Sequence, residues 1–411
     1  MRKIPVTIPF FSEDELVLVK DTLDSGWVAQ GRKVIDFETL VAQHEGVKYG
    51  IATTSCTTAL HLALLGMGIG KGDDVLVPSF TFVATPNSVL YTGATPVFVD
   101  IKSDTTYNMD PESIRWVINE NYYLDKEGVF RNKTTKNKLK AVIVVHEFGL
   151  CAEMESICEI AKENNLLILE DSACALGASI NGTHQSGFGI AGCVSFHPRK
   201  SITTGEGGMV LTSEKVIEEK VRKLRSHGAS VSEIQRHQSR GFLLPDYDEL
   251  GYNFRMTDVQ GALGIAQVRK LDWMIEEKRK RAKYYNGILQ QSCPWLTIPA
   301  EPEGYFHTYQ SYVCMVDLEA LALSNIEEGH RFRNSLMEYL ENNGVATRQG
   351  THATHILGQY RRKCGYKPED YPNSYKADRL SIALPLYVQI SQEDQQYVIE
   401  QIKKGITSIG V

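Results

Sequence analysis

Short apolar runs punctuate the first half of the chain at regular intervals. They fall at Ile51–Thr53, Asp73–Pro78, Ala94–Asp100, Ala141–His146, Leu166–Leu169, Ile190–Val194 and Gly208–Thr212. Each is too short for a buried helix and too continuous for a half-exposed strand, so the pattern predicts strands covered on both faces. Between them lie stretches with helical spacing. Ser12 and Glu15 form a capping box ahead of Leu16-Val17-Leu18, a second helix covers Lys33 to His44, Asp110-Pro111 opens a helix to Glu120, and another spans Glu214 to Leu224. Strand and helix in alternation predict a mostly parallel α/β sheet. Asn121 to Lys138 is polar and reads as an inserted surface excursion, and Ser226 to Pro245 as a polar, loop-rich stretch. Thr257 caps a long helix to about Asn286. Beyond it an alternating strand near Ser311–Val316 and helices over Glu327–Asn342 and Gln392–Lys404 predict a smaller α+β domain. The expected division is 1–268 for the large domain and 269–411 for the connector helix and the smaller one.

With 411 residues the chain has enough length for two cores. The formal net charge is -6 with signs mixed along the sequence, which is no nucleic-acid footprint. Arg2 and Lys3 are followed by no apolar signal core, and no run has the length to span a bilayer, so a cytoplasmic protein that binds neither nucleic acid nor membrane is expected. The eight cysteines are scattered and read as free thiols. His352 and His355 are three apart without carboxylate or cysteine company, and no metal is expected.

Chemistry concentrates at two strand ends. Ser195-Phe196-His197-Pro198-Arg199-Lys200 leads an apolar run through a proline to one lysine and then to the glycine-rich turn Gly205-Glu206-Gly207-Gly208. A lysine enclosed there can have its pKa drawn below the usual value of about 10.4 and act as a Schiff-base amine, whereas an isolated lysine beside such a loop is ordinarily solvated. Asp171 closes the run Leu166–Leu169, and a buried carboxylate at that place needs a cation, which a protonated pyridine nitrogen supplies. Lysine and aspartate at two strand ends together point to pyridoxal 5'-phosphate (PLP). A third element, Thr53-Thr54-Ser55-Cys56-Thr57-Thr58 running into Ala59–Leu64, is a helix start whose N–H groups and dipole suit a phosphate, though Ser and Thr cap helices of every kind.

On these motifs the chain, from Ile8 to nearly its C-terminus, resembles the DegT/DnrJ/EryC1/StrS sugar aminotransferases, PLP enzymes of fold type I, the aspartate aminotransferase-like fold. The resemblance implies that Lys200 carries the cofactor, Asp171 faces its ring nitrogen, Thr57 and Thr58 hold its phosphate, Phe82 stacks on its ring, and Ser195 belongs to the same cofactor-binding set. Asn253, which alone would read as turn chemistry, is implied to reach the phosphate of a neighbouring subunit in a homodimer with shared active sites. Trp27 and His355 are implied near the sugar nucleotide. Trp27 reads equally as a packing anchor and His355 as a loop histidine with no ligand. The chain departs from the family at two places: Cys56 stands where many relatives have glycine, and Cys174 where many have the Gln or His that bonds the ring oxygen of PLP.

The activity implied is amino transfer, with glutamate as donor, to a nucleotide-linked keto-deoxysugar. Arg199 to Gly208 and Phe148-Gly149-Leu150 look closest to the branch that aminates C4 of 4-keto-6-deoxyhexoses. Three rivals are a sugar dehydratase of the same fold, whose members have histidine where this chain has Lys200, a non-catalytic regulatory protein, and an amino-acid aminotransferase.

Overall fold

The computed structural model describes residues 2–103, 105–230 and 244–409. Its centre is a nine-stranded sheet. Seven strands form its spine: β1 (Tyr49–Thr53), β2 (Asp73–Pro78), β3 (Thr95–Val99), β4 (Lys138–Val145), β5 (Leu167–Asp171), β6 (Ala191–Ser195) and β7 (Gly208–Thr212), in the spatial order β1-β7-β6-β5-β4-β2-β3. The pairs β3/β2, β2/β4, β4/β5 and β5/β6 are parallel. β7 runs antiparallel to both neighbours, β6 and β1. β6 and β7 are buried throughout, which is why both read as continuous apolar runs.

Helices cover both faces. One face packs Leu60, Leu64, Val221 and Leu224 on Ile51, Val75 and Val210, and the other packs Phe37, Val41, Ile265 and Met274 on Ala52, Val194 and Leu211. The helix Glu13–Asp24 begins as its capping box predicts, with Ser12 N–H donating to Glu15 Oε2 at 2.7 Å. The fold type I expectation is met: parallel strands present their C-terminal ends along one edge of the sheet, where ligands bind in open α/β architectures.

Two expectations need correction. The helix after Thr257 is two helices, Asp258–Val268 and Leu271–Ser292. Lys270 leaves helical geometry at φ -118 and ψ 12, and its amine lies 2.7 Å from Glu15 Oε1, so tertiary pairing breaks the periodic run. The polar insertion is a hairpin, Tyr122–Leu124 against Phe130–Asn132, that extends the sheet beside β4. Tyr122, Asn132 and Asn137 all donate to Asp74, which anchors it to β2. Residues 231–243 of the polar stretch before Pro245 lie outside the described residues.

The C-terminal half builds its own layer, an antiparallel sheet of Leu296–Thr297, Tyr312–Val316 and Ser381–Leu384 under the helices Ile326–Asn342 and Gln392–Ile409. The N-terminal segment joins this layer: Ile4 bridges Val345 and packs among Leu336, Leu340 and Val398. Among the described residues no helix is long and apolar enough to cross a membrane.

His44, Glu45 and His184 bring their ligand atoms within 4.8 Å of one another. Burial pushes His44 down, but Glu45 at 2.6 Å and Asp272 at 2.8 Å engage both ring nitrogens and hold it up at about 9. A folded pKa above the unfolded value of about 6.5 means stabilisation that is complete below that pH and lost as pH rises through 9. Replacing His44 with asparagine will therefore cost on the order of 2 kcal/mol at pH 6, a figure discounted for the exposed Asp272, and nearly nothing above pH 9.5. Melting temperatures of the two proteins across that range check it; a gap constant with pH contradicts it.

Candidate active site

A cavity of about 520 Å³ opens at the C-terminal ends of β4, β5 and β6. That is within the range of ligand pockets. These three strand ends furnish its floor, and a wall from the C-terminal half, with Gln310, Arg348 and Gln349, closes the side.

Asp171 is the last residue of β5 and is buried. Thr85 Oγ1 donates to its Oδ2 at 2.7 Å and Ala173 N–H to its Oδ1 at 3.2 Å. Burial pushes its pKa up despite these bonds. The preceding Glu170 serves the scaffold: it accepts from the N–H groups of Ser186, Phe188 and Gly189 at 2.7 to 2.9 Å and pairs with His146 at 2.9 Å. The site therefore holds a buried carboxyl group whose hydrogen-bond donors are neutral, as a receptor for a cationic ring nitrogen would.

Lys200 follows β6 on a turn closed by its own N–H to His197 C=O at 2.9 Å, and Gln310 pins the same turn through Arg199 C=O at 2.5 Å. Its Nζ donates to Cys174 Sγ at 3.0 Å. The sequence expectation of a depressed lysine is not met. Burial lowers it, but Cys174, Cys56 and Asp171 outweigh burial, and the net shift is upward. The free amine must therefore lose a proton before it can attack a carbonyl.

The helix Cys56–Gly66 begins at the cavity rim. Its first intrahelical bond is Ala59 N–H to Ser55 C=O, leaving the N–H groups of Cys56 and Thr57 at an open helix terminus. Cys56 does not obstruct the approach: its thiol turns to Cys193 C=O at 3.6 Å. Gly208 is required beside it, since a Cβ there would meet Cys56 N at 2.4 Å. The residues present thus fit PLP: an anion site at the helix start, an amine at Lys200, and a buried carboxylate at Asp171.

Thr57, Phe82, Asp171, Cys174, Ser195 and Lys200 all line the cavity. Phe82 is 62% exposed, a ring presented to the opening rather than packed in the core. Thr58 is not on the wall: its hydroxyl donates to Ser55 C=O at 2.8 Å and its N–H to Ser55 Oγ at 3.2 Å, so both donors are consumed in the cap. His355 requires correction. It is fully buried, with Nδ1 2.6 Å from Ser79 Oγ and its ring 4.9 Å from that of Tyr371, and burial pushes it down to about 4. It is a core residue with no access to a sugar nucleotide. Trp27 stands on an exposed loop, its Nε1 donating to Gln30 C=O at 3.3 Å, outside this cavity. Asn253 is also exposed and outside the cavity of its own chain, in a bridge to Ser226. The sequence reading missed Thr85, Glu147 and Arg348, which reach the site from three other segments.

A sheet of this order with a lysine and an aspartate at adjacent strand ends defines a PLP-type transferase scaffold. The model of the DegT/DnrJ/EryC1/StrS aminotransferase family matches residues 10–403, and the chain belongs to that family. It is 33% identical to the spore coat polysaccharide biosynthesis protein SpsC of Bacillus subtilis, over 97% of this chain and 96% of that one. It is 32% identical to the GDP-perosamine synthase of Vibrio cholerae, over 99% and 100%. Among solved structures, the aminotransferase TlmJ from Streptoalloteichus hindustanus superposes with a TM-score of 0.84 at 26% identity, covering 99% of this chain and 100% of that one.

Proposed function

We propose that this enzyme moves the amino group of glutamate to the ketone of a nucleotide-linked 4-keto-6-deoxyhexose, with PLP held at Lys200. The observation that carries the reading is the convergence of Lys200, Asp171 and the open helix start at Cys56 and Thr57 on one cavity, in a chain whose relatives include GDP-perosamine synthases.

Bound PLP supplies an aldehyde for the incoming amine and a ring that accepts electrons. Every other task belongs to the chain. Asp171 would keep the ring nitrogen protonated by charge, and Thr85 fixes the orientation of that carboxylate. The N–H groups of Cys56 and Thr57 would hold the phosphate, and Phe82 would cover one face of the ring. Lys200, whose amine would anchor the cofactor, lines the cavity and would hold and move a proton at its Nζ as general acid and base. Arg348, on the opposite wall, offers a cation for the carboxylate of glutamate.

A panel of GDP-, UDP- and dTDP-linked 4-keto-6-deoxyhexoses incubated with glutamate tests the reading by product mass. One of them should gain an amino group in place of the ketone oxygen, with 2-oxoglutarate released. Transfer among α-keto acids with no reaction on any sugar nucleotide contradicts it.

The exposure of Asn253 supports a site completed by a second copy of the chain, in which this side chain serves the partner's phosphate. Loss of a hydrogen bond to a charged phosphate costs on the order of 1.5–3 kcal/mol, so Asn253→Ala should weaken PLP binding roughly ten- to a hundred-fold. Mixing two inactive variants, Lys200→Ala and Asn253→Trp, should restore activity, because one site of the mixed dimer collects both lesions and the other neither. Verified subunit exchange without recovered activity, or an active monomer in sedimentation, refutes the shared site.

A further inference from the structure

Glu147 is a buried acid on the wall of the cavity, and the reaction as described gives it no task. Its Oε1 has no hydrogen-bond partner. The backbone that delivers it is over-determined: Glu147 N–H donates to Asn108 Oδ1 at 2.9 Å, Phe148 follows in the left-handed region at φ 55, and Gly149 at φ 106 leaves no room for a Cβ, which would lie 2.5 Å from Thr308 Oγ1. Strain held this firmly beside a cavity marks a side chain that is being aimed.

The order of strands says at what. Across the sheet edge come the helix start after β1, then Lys200 after β6, Asp171 at the end of β5, and Glu147 after β4. In PLP the carbon that meets the lysine is attached between the phosphate arm and the ring oxygen. With the phosphate at the β1 side, the ring oxygen faces the β4 side, where Glu147 stands. The partner that many relatives place at that oxygen is replaced here by Cys174, a half-buried thiol on the cavity wall and a weak donor.

We propose that Glu147 is a cofactor-positioning residue whose carboxyl donates a hydrogen bond to the ring oxygen of PLP, a role that rests on the PLP reading above. Donation needs the acid form. Burial and the nearby Asp171 push Glu147 up to about 8, against the opposing effects of Lys200 and a hydrogen bond from Thr81. The titratable groups facing it are Asp171 at the end of β5, Lys200 on the β6 turn, and Cys174.

The test is a pH titration of the visible absorption band of the lysine-bound cofactor in the loaded protein. A donor to the ring oxygen stabilises its anionic form and so lowers the pH midpoint of that band. Glu147→Leu should raise the midpoint by about one unit, a tenfold change in the proton equilibrium. Glu147→Gln, which fills the same space and still donates, should raise it less, and Cys174→Ala should move it less than Glu147→Leu. An unchanged midpoint in Glu147→Leu overturns the proposal. A lowered midpoint overturns it too, since it would mean an ionised Glu147 facing the cationic nitrogen. The thiol would be the partner instead if Cys174→Ala gave the larger shift. Absence of any lysine-dependent band in the parent protein would refute the PLP reading itself.

Discussion

Replacing Lys200 with alanine will abolish turnover, by at least about 10⁴-fold, and remove the visible cofactor band while the protein stays folded. In the proposed mechanism the amine is both the covalent anchor and the proton carrier, and among the described residues no other side chain on the cavity wall offers a primary amine. The structural cost is small: Lys200 is half-buried on a turn, and truncation deletes its bond to the Cys174 thiol while the turn keeps its backbone bond to His197 C=O. Circular dichroism, the absorption spectrum and product mass check the three parts separately. Appreciable transfer by the variant would contradict the assignment.

Asp171→Asn carries the second large effect, with opposite consequences for rate and stability. Without a full negative charge opposite the ring nitrogen, the ring accepts electrons less well, and kcat should fall roughly 10²- to 10³-fold while cofactor affinity changes much less. In the cofactor-free protein the same substitution should leave the melting temperature unchanged or raise it. Burial holds the pKa of Asp171 above its unfolded value, so the ionised carboxylate costs the apoprotein stability above the carboxylate range, and a neutral amide of equal shape relieves it. A rate loss matched by an equal loss of affinity, together with a less stable apoprotein, would mean that Asp171 is a structural cap.

Lys200 and Asp171 were legible in the sequence because each follows an apolar run, and a strand end is a local signal. Thr57, Phe82, Cys174 and Ser195 lie within a few residues of such ends and arrive in the cavity with them. Thr85 was not legible, since its bond to Asp171 joins segments 86 residues apart and nothing local marks a threonine in the first turn of a helix. Glu147 left only a weak trace: it is the second residue after β4 ends at Val145, whose register partner on β5 is Asp171, and the position alone does not mark it. His355 misled for the converse reason, because polar neighbours at Thr351, His352 and Thr354 suggest a loop, while the pairing of His352–Ala353 with Phe80–Thr81 draws the segment into the core. The break at Lys270 and the hairpin after Asn121 are likewise set by distant partners, Glu15 and Asp74.

The measurement closest to the central claim is where the cofactor is attached. Borohydride reduction of the loaded protein fixes PLP to its amine, and peptide mass mapping then locates it. The mass addition should fall on Lys200. Lys278 is the serious competitor: it is buried, its Nζ donates to Gln310 C=O at 3.0 Å, and burial pushes it down to about 8, the property expected of a reactive lysine. Addition at Lys278, or at no lysine of the chain, would contradict an active site built on Lys200.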